Sequence, residues 1–235
     1  MKVKSFVTAL LLIALCIGSS IVCSCSKDDI DDSRPANRGV TNGHEWVNLG
    51  LPSGTLWATC NVGASKPEEF GNYYAWGETK PKSTYSWDTY TYTANYEELP
   101  AENDAATVNW GSKWEMPSHE QIKELYNNTI TAWTTQNGVN GRKVTSKINS
   151  ASIFFPFAGR FDESNLRYTE IRGYYWSRSL KVGNYNERAY RLILDSDSFY
   201  DDTRYPPEGS NLPAVGSGWA SERYEGFPVR PVRKQ

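Results

Sequence analysis

The chain has few of the side chains on which disulfide scaffolds and many enzymes depend. It contains four cysteines and two histidines among 235 residues. After Cys25 the only cysteine is Cys60, in the segment Trp57-Ala58-Thr59-Cys60. A lone cysteine cannot form an internal disulfide framework, and it is more often a small buried apolar residue than a nucleophile.

The charge balance and the two histidines argue against two further classes of protein, nucleic-acid-binding proteins and enzymes that use a nucleophile with a histidine base. The formal net charge is −2, whereas a nucleic-acid-binding protein carries a basic stripe, so no nucleic-acid partner is predicted. Neither His44 nor His119 stands in a recognisable pattern with a Ser or Cys nucleophile and an acid. We therefore predict that the chain is not an enzyme. A carboxylate pair for glycoside hydrolysis needs only the right separation in space, so a cryptic polysaccharide hydrolase remains an alternative.

Hard oxygen ligands are present, but not in a metal-binding pattern. Asp195-Ser196-Asp197 and Asp201-Asp202 lack the Gly turn and terminal Glu of an EF-hand loop. We interpret them as solvated acidic loops and predict no metal and no cofactor.

One long apolar run is present, from Phe6 to Val22, preceded by Lys2 and Lys4. A basic start, a short apolar stretch and small residues after it are typical of a secretory signal. The run is short for a spanning helix, which needs roughly 20 residues. Residues 1–24 are therefore predicted to be a signal peptide, with an uncleaved membrane anchor as the alternative.

The residues after this run resemble a bacterial lipobox, in which a cysteine is lipidated and becomes the new N-terminus. Cys25 is the best candidate because the small Ser24 precedes it, whereas larger residues precede Cys16 and Cys23. The following Ser26-Lys27-Asp28-Asp29 resembles the acidic signal that sends lipoproteins of Bacteroidetes-type bacteria to the outer face of the outer membrane. A plain solvated linker is the alternative interpretation.

The rest of the chain predicts a tether and one domain. Residues 25–43 are polar without apolar periodicity and predict a flexible tether, and residues 44–235 predict the domain. Short alternating runs such as 44–49 predict strands. Ser118 with Gln121 forms a capping box that predicts a helix of about two turns, and residues 102–110 predict a second short helix. Many short strands, two short helices and long loops predict an α+β fold.

Five segments resemble, in the same order, FISUMP-type domains (Fibrobacter succinogenes major paralogous domain), and together they cover nearly all of residues 44–233. The segments are His44-Glu45-Trp46-Val47-Asn48-Leu49-Gly50-Leu51-Pro52-Ser53-Gly54-Thr55-Leu56-Trp57-Ala58-Thr59-Cys60-Asn61-Val62-Gly63-Ala64, Tyr73-Tyr74-Ala75-Trp76-Gly77-Glu78-Thr79, Trp114-Glu115-Met116-Pro117-Ser118, Gly173-Tyr174-Tyr175-Trp176-Ser177 and Val229-Arg230-Pro231-Val232. The family usually has Arg where Glu115 stands here.

The resemblance implies a C-type-lectin-like fold of the branch related to formylglycine-generating enzymes. That fold pairs its N- and C-terminal strands, packs two helices on small sheets and presents a ligand surface on long loops. The resemblance implies no known catalytic activity, since the formylglycine-generating relatives use a pair of cysteines and only Cys60 remains here. The sugar- and calcium-binding motifs of true C-type lectins do not occur in the sequence. Family members are mostly outer-membrane lipoproteins of gut bacteria.

Residues 182–226 have the composition of a binding surface. Tyr, Trp, Arg, Ser and Asn dominate rigid-anchor binding loops, because the aromatic rings give contact area at low entropy cost and Arg adds bidentate hydrogen bonds. The alternative is that these aromatic residues only pack the loops onto the core. The predicted ligand-binding residues are Tyr185, Asn186, Arg188, Tyr200, Asp201, Arg204, Tyr205, Trp219, Arg223 and Tyr224.

The sequence thus predicts a surface-exposed, non-catalytic lipoprotein. Its lipid anchor would hold it in the outer membrane, facing the cell exterior, and its C-terminal loops would bind an extracellular glycan or protein. The main alternative is a structural or assembly subunit of a surface complex or fibre. A further hypothesis is that a retroelement diversifies the C-terminal loops, as in some C-type-lectin-like surface proteins of bacteria and phages.

Overall fold

The computed structural model describes residues 37–181, 183, 187–195, 199–200 and 220–233. The predicted signal peptide and Cys25 lie outside these residues. The described part is mixed α+β, with mostly strands and a few short helices, which confirms the predicted fold class. Within it, no helix is both long and apolar enough to cross a membrane.

The strands are short and spread along the whole domain. In chain order they are β1 Arg38–Thr41, β2 His44–Asn48, β3 Leu56–Ala58, β4 Tyr73–Tyr74, β5 Thr129–Gln136, β6 Val139–Ser146, β7 Ser152–Pro156, β8 Ala158–Asp162, β9 Asn165–Thr169, β10 Arg172–Leu180, β11 Arg188–Asp195, β12 Phe199–Tyr200, β13 Ser221–Glu222, β14 Phe227–Pro228 and β15 Val232–Arg233. The described strands form sheets in the orders β1-β2-β3-β15, β12-β11-β10-β8-β9 with β13 on β11, β14-β4, and β5-β6-β7.

The first sheet brings the two ends of the domain together. The C-terminal strand β15 pairs with β3, and β1 pairs with β2 through a turn at Asn42 and Gly43. Both turn residues have positive φ, which favours Asn-Gly in a tight hairpin. The predicted boundary at residue 44 is therefore wrong. The domain already includes Arg38–Thr41, because this segment is hydrogen-bonded into the sheet and is not part of a tether.

In the part of the chain that the structure describes, two α-helices connect the sheets, and both have side-chain N-caps. The first, α1, covers Ala105–Trp110, and the second, α2, covers His119–Asn128. The predicted capping box is confirmed, since Gln121 N donates to Ser118 Oγ at 3.1 Å and Ser118 N donates to Gln121 Oε1 at 2.8 Å. The helix α2 has ten residues and is thus longer than the predicted two turns.

Most of the described tryptophans belong to the core. Trp76 and Trp176 are fully buried, and their indole N–H groups donate to the Ser177 and Tyr74 carbonyls at 2.9 and 2.8 Å. Such partners allow a large polar-tipped ring to be buried without an unpaired donor. In contrast, Trp87 and Trp133 are 46% and 51% exposed. These two rings are therefore available to something outside the domain.

A buried arginine connects the C-terminal segment to the rest of the domain. Arg230 is fully buried, and its Nε donates to Asn61 Oδ1 at 2.8 Å. Its Nη1 donates to the Thr59 and Phe154 carbonyls, each at 3.0 Å. The Val229-Arg230-Pro231-Val232 segment thus stabilises the domain from inside.

Glu115 has a cationic partner. Its Oε2 accepts from Arg178 Nη1 at 2.5 Å, and Arg178 Nε lies 2.7 Å from Glu98 Oε2. One arginine therefore joins two carboxylates of different segments.

Candidate functional site

Three of the predicted ligand-binding residues have described side chains, namely Arg188, Arg223 and Tyr224. Tyr200 lies in β12, where only the backbone is described. The others lie outside the described residues: Tyr185, Asn186, Asp201, Arg204, Tyr205 and Trp219. The geometry of the site is therefore built from the strands and loops at the edge of the C-terminal region.

Arg188 joins the strands that precede and follow the C-terminal loop region in the chain. It lies opposite Glu222 in the β11–β13 pair, and its Nε and Nη2 each lie 2.8 Å from Glu222 Oε1. Both side chains are partly exposed. A half-exposed pair of this kind aligns two strands more than it stabilises them, because solvent screens the attraction.

Arg223 is buried, whereas the prediction from loop composition needs its side chain to be exposed. The residue is 5% exposed, and its guanidinium donates to Ala94 O at 3.0 Å, Asn95 Oδ1 at 2.9 Å and Tyr92 O at 3.1 Å. It also lies 5.4 Å from the centroids of both the Trp76 and Tyr90 rings. Its charge is used inside the protein, where it fixes the segment 92–95 against the segment 220–224.

Tyr224, the next residue, contacts an exposed aromatic ring. Its ring centroid lies 5.1 Å from that of Trp87, at an angle of 60°. Trp87 begins a 3-10 turn, Trp87–Thr89, and also packs edge-on against Tyr90 at 5.5 Å. We refer to Trp87, Tyr90 and Tyr224 as the aromatic platform.

The platform is rigidly attached to the core through Tyr90. The Tyr90 hydroxyl donates to the carbonyl of buried Trp76 at 2.7 Å, and burial raises the pKa of this hydroxyl well above its usual range. Tyr90 is therefore a neutral hydrogen-bond donor at all physiological pH values. The exposed Trp87 ring therefore packs edge-on against the fixed ring of Tyr90 and also against the ring of Tyr224.

A polar cleft of about 390 Å³ adjoins the platform, and we call it the loop cleft. It shares Thr89 with the turn that carries Trp87. Its lining includes charged, hydroxyl and amide side chains, among them Glu78, Lys80, Lys82, Thr91, Tyr92 and Asn103. The turn that carries the exposed Trp87 ring thus also contributes a residue to a cleft of hydrogen-bonding groups.

The charges of the loop cleft are held in place by hydrogen bonds. Lys82 Nζ lies 2.7 Å from Glu78 Oε2, and it donates to the Thr89 carbonyl at 2.9 Å. The other Glu78 oxygen accepts from the Thr91 N–H at 2.7 Å and from its hydroxyl at 2.9 Å. Lys80 is exposed at the same cleft. The cleft therefore presents preorganised donors and acceptors at its rim.

Gly77 allows the loop to pack as closely as the cleft requires. It has a φ of +79°, and a Cβ at this position would lie 2.3 Å from Cδ1 of Tyr92. Both the left-handed backbone and the close approach of an aromatic ring exclude a larger residue. Asn103 Nδ2 donates to the Gly77 carbonyl at 3.0 Å and fixes the same turn.

A second cleft, of about 400 Å³, brings together His44, Cys60 and Trp110. The His44 ring stacks on Trp110 with centroids 3.7 Å apart, and burial lowers its pKa. The other histidine, His119, stacks on Tyr190 at 3.9 Å. Each histidine therefore has a ring face covered by an aromatic neighbour, as expected for packing residues. Within the described ranges, no three histidine, cysteine or acidic side chains come together to hold a metal ion.

Sequence reasoning missed Trp87. In the segment 79–99, Tyr85, Tyr90 and Tyr92 pack inward, whereas Trp87 is exposed. The signal that could have found Trp87 is the density of Tyr, Trp, Thr and Ser in this loop, which matches the composition used to choose the C-terminal residues. No protein-family model, no curated protein and no solved structure matches this chain.

Proposed function

We propose that this chain is a non-catalytic surface lipoprotein that binds an extracellular ligand, and that the ligand is a glycan. The observation that carries the proposal is the exposed Trp87 ring, held against Tyr224 and next to the polar loop cleft. The aromatic platform and the loop cleft would form one binding surface.

The chemistry of this surface suits a sugar ring. A pyranose has an apolar C–H face and a rim of hydroxyl groups, so it needs a flat aromatic ring beside fixed donors and acceptors. Trp87 offers the ring, since it is 46% exposed. Glu78, Lys80 and Lys82 offer the polar partners at the adjoining cleft. Ligand sites generally combine aromatic walls with a few well-placed polar groups of this kind.

The arrangement of the domain supports the proposed C-type-lectin-like fold. The C-terminal strand β15 shares a sheet with β1, β2 and β3, as the resemblance to FISUMP-type domains implies. A long irregular segment between β4 and α1 carries Trp87 and meets Tyr224 near the C-terminus. A C-type-lectin-like fold would favour ligand binding by loops, and the segments that carry Trp87 and Tyr224 are such loops.

The anchor limits where the ligand is found. Lipidation of Cys25 would fix the chain to the outer membrane, and the acidic residues after it would direct the chain to the outer face. A ligand on the outside of the cell, either environmental or on a neighbouring cell, would then be within reach.

A glycan array probed with the full chain, extracted from membranes in detergent, tests the proposal. We expect binding to a defined set of oligosaccharides that is lost in Trp87→Ala and reduced in Tyr224→Ala. A stable co-purified protein without any glycan signal would show that the ligand is a protein instead. Turnover of a polysaccharide would overturn the non-catalytic proposal.

A further inference from the structure

The strand β5 forms an edge that lacks the usual protection. It is the outermost strand of the order β5-β6-β7, and no described strand pairs with its other side. Its eight residues, Thr-Ile-Thr-Ala-Trp-Thr-Thr-Gln, include no charged residue, no Pro and no Gly. Natural edges are normally blunted by Lys, Pro, bulges or short length, because open backbone groups recruit other strands.

Each face of the sheet carries one large exposed apolar side chain at this edge. Ile130 is 60% exposed and Trp133 is 51% exposed. Because side chains alternate along a strand, these two residues lie on opposite faces. The β5–β6 ladder is regular over all eight positions, from Thr129 opposite Ser146 to Gln136 opposite Val139. A regular, uncharged edge with exposed apolar side chains is suited to receive another strand.

We propose that β5 pairs in antiparallel fashion with β5 of a second copy of this chain. The two-fold axis would pass beside Trp133 and would join two three-stranded sheets into one. This interaction surface belongs to a different sheet from any strand near the aromatic platform, so it does not depend on the glycan proposal.

The sequence of β5 argues for a second copy as the occupant. One face of the strand reads Thr131, Trp133, Thr135, which is the same in both directions. In a two-fold antiparallel pair centred on Trp133, Trp faces Trp and each Thr131 faces a Thr135. Aromatic pairs and Thr–Thr pairs directly opposite each other are favourable, whereas like charges would be unfavourable and are absent here. A partner strand with charged side chains would find no counter-charge on β5.

Cysteine cross-linking of the full chain in intact cells tests this surface. In a Cys60→Ser background, Trp133→Cys places two thiols directly opposite each other at the two-fold axis. Directly opposed Cβ atoms lie about 4.5–5.5 Å apart, close to the distance that a disulfide bridges. Val108→Cys is the matched control, because Val108 is 50% exposed but lies on α1.

We expect a mild oxidant to convert most of the Trp133→Cys chain to a disulfide-linked dimer and to leave Val108→Cys monomeric. Adding Thr135→Lys should reduce the dimer at least ten-fold, because a charge at an edge strand opposes pairing. A Trp133→Cys chain that stays monomeric while remaining protease-resistant at the cell surface would overturn the proposal. Cross-linking of Trp133→Cys to a different protein, identified by mass spectrometry, would overturn it too.

Discussion

Replacing Arg223 by Met should separate the loop that carries the platform from the C-terminal segment. The guanidinium donates to three acceptors in the segment 92–95, at 2.9, 3.0 and 3.1 Å. Met keeps most of the side-chain volume but donates no hydrogen bond. The Tyr92 carbonyl would lose a buried partner, and the Trp87–Tyr224 contact would lose the constraint that holds its two segments together.

The expected decrease in the free energy of unfolding follows from these three hydrogen bonds. Hydrogen bonds to a charged group contribute about 1.5–3 kcal/mol each, but the sum is reduced because Arg is desolvated on burial and the bonds are not additive. We expect Arg223→Met to lower the free energy of unfolding by about 2–4 kcal/mol. Arg223→Lys should cost less, because one ammonium can still donate to some of the acceptors, although it cannot stack as a plane.

Denaturant unfolding measures the loss of stability, and amide hydrogen exchange of residues 91–95 measures the loss of the local constraint. Arg167→Met is the control, because Arg167 is about half exposed and lies 3.5 Å from Asp162, so its loss should change little. Exchange at 92–95 should accelerate in Arg223→Met and stay unchanged in Arg167→Met. The reasoning fails if Arg223→Met loses less than about 1 kcal/mol and its exchange matches that of the unaltered chain.

Three further predictions follow. Cys25→Ala should abolish incorporation of labelled palmitate and release the chain from the membrane; retained label would move the acceptor to another cysteine. Burial raises the pKa of Asp104 from 3.8 to about 6. Between pH 3.8 and about 6, the Asp104 carboxyl is therefore mostly protonated in the folded chain and mostly ionised in the unfolded chain. Stability should therefore rise as pH falls through this window, and Asp104→Asn should show a shallower slope; equal slopes would contradict this. Gly77→Ala should destabilise more than Gly138→Ala, because both have positive φ but only Gly77 meets a ring, that of Tyr92; equal losses in thermal melts would contradict the close-packing argument.

Local signals predicted the local structure well. The Ser118–Gln121 capping box predicted α2, and the alternation in residues 44–49 predicted β2. The β1 hairpin was predictable as well, because Asn42-Gly43 is a strong turn signal, but the polar residues around it favoured a tether. The hairpin of β8 and β9 has Glu163 at positive φ, so its turn lacks the Gly or Pro that marks turns in a sequence.

The candidate site could be predicted only in part, because long-range packing decides it. Arg223 and Tyr224 are neighbours in a polar, aromatic segment, and composition treats them alike. The structure separates their roles, since Arg223 points into the protein and Tyr224 contacts Trp87. Trp87 itself is distant from both in the chain, and only the folded arrangement places it beside them.

The affinity of the full chain for a monovalent oligosaccharide, chosen from the array, tests the central claim most directly. Calorimetric titration should compare Trp87→Ala with Trp133→Ala, since the two tryptophans are similarly exposed, at 46% and 51%, but lie on different parts of the domain. We predict that Trp87→Ala weakens binding by at least about ten-fold, or about 1.4 kcal/mol, while Trp133→Ala leaves it unchanged. Equal affinity in the two variants would contradict the assignment of the aromatic platform as the ligand site.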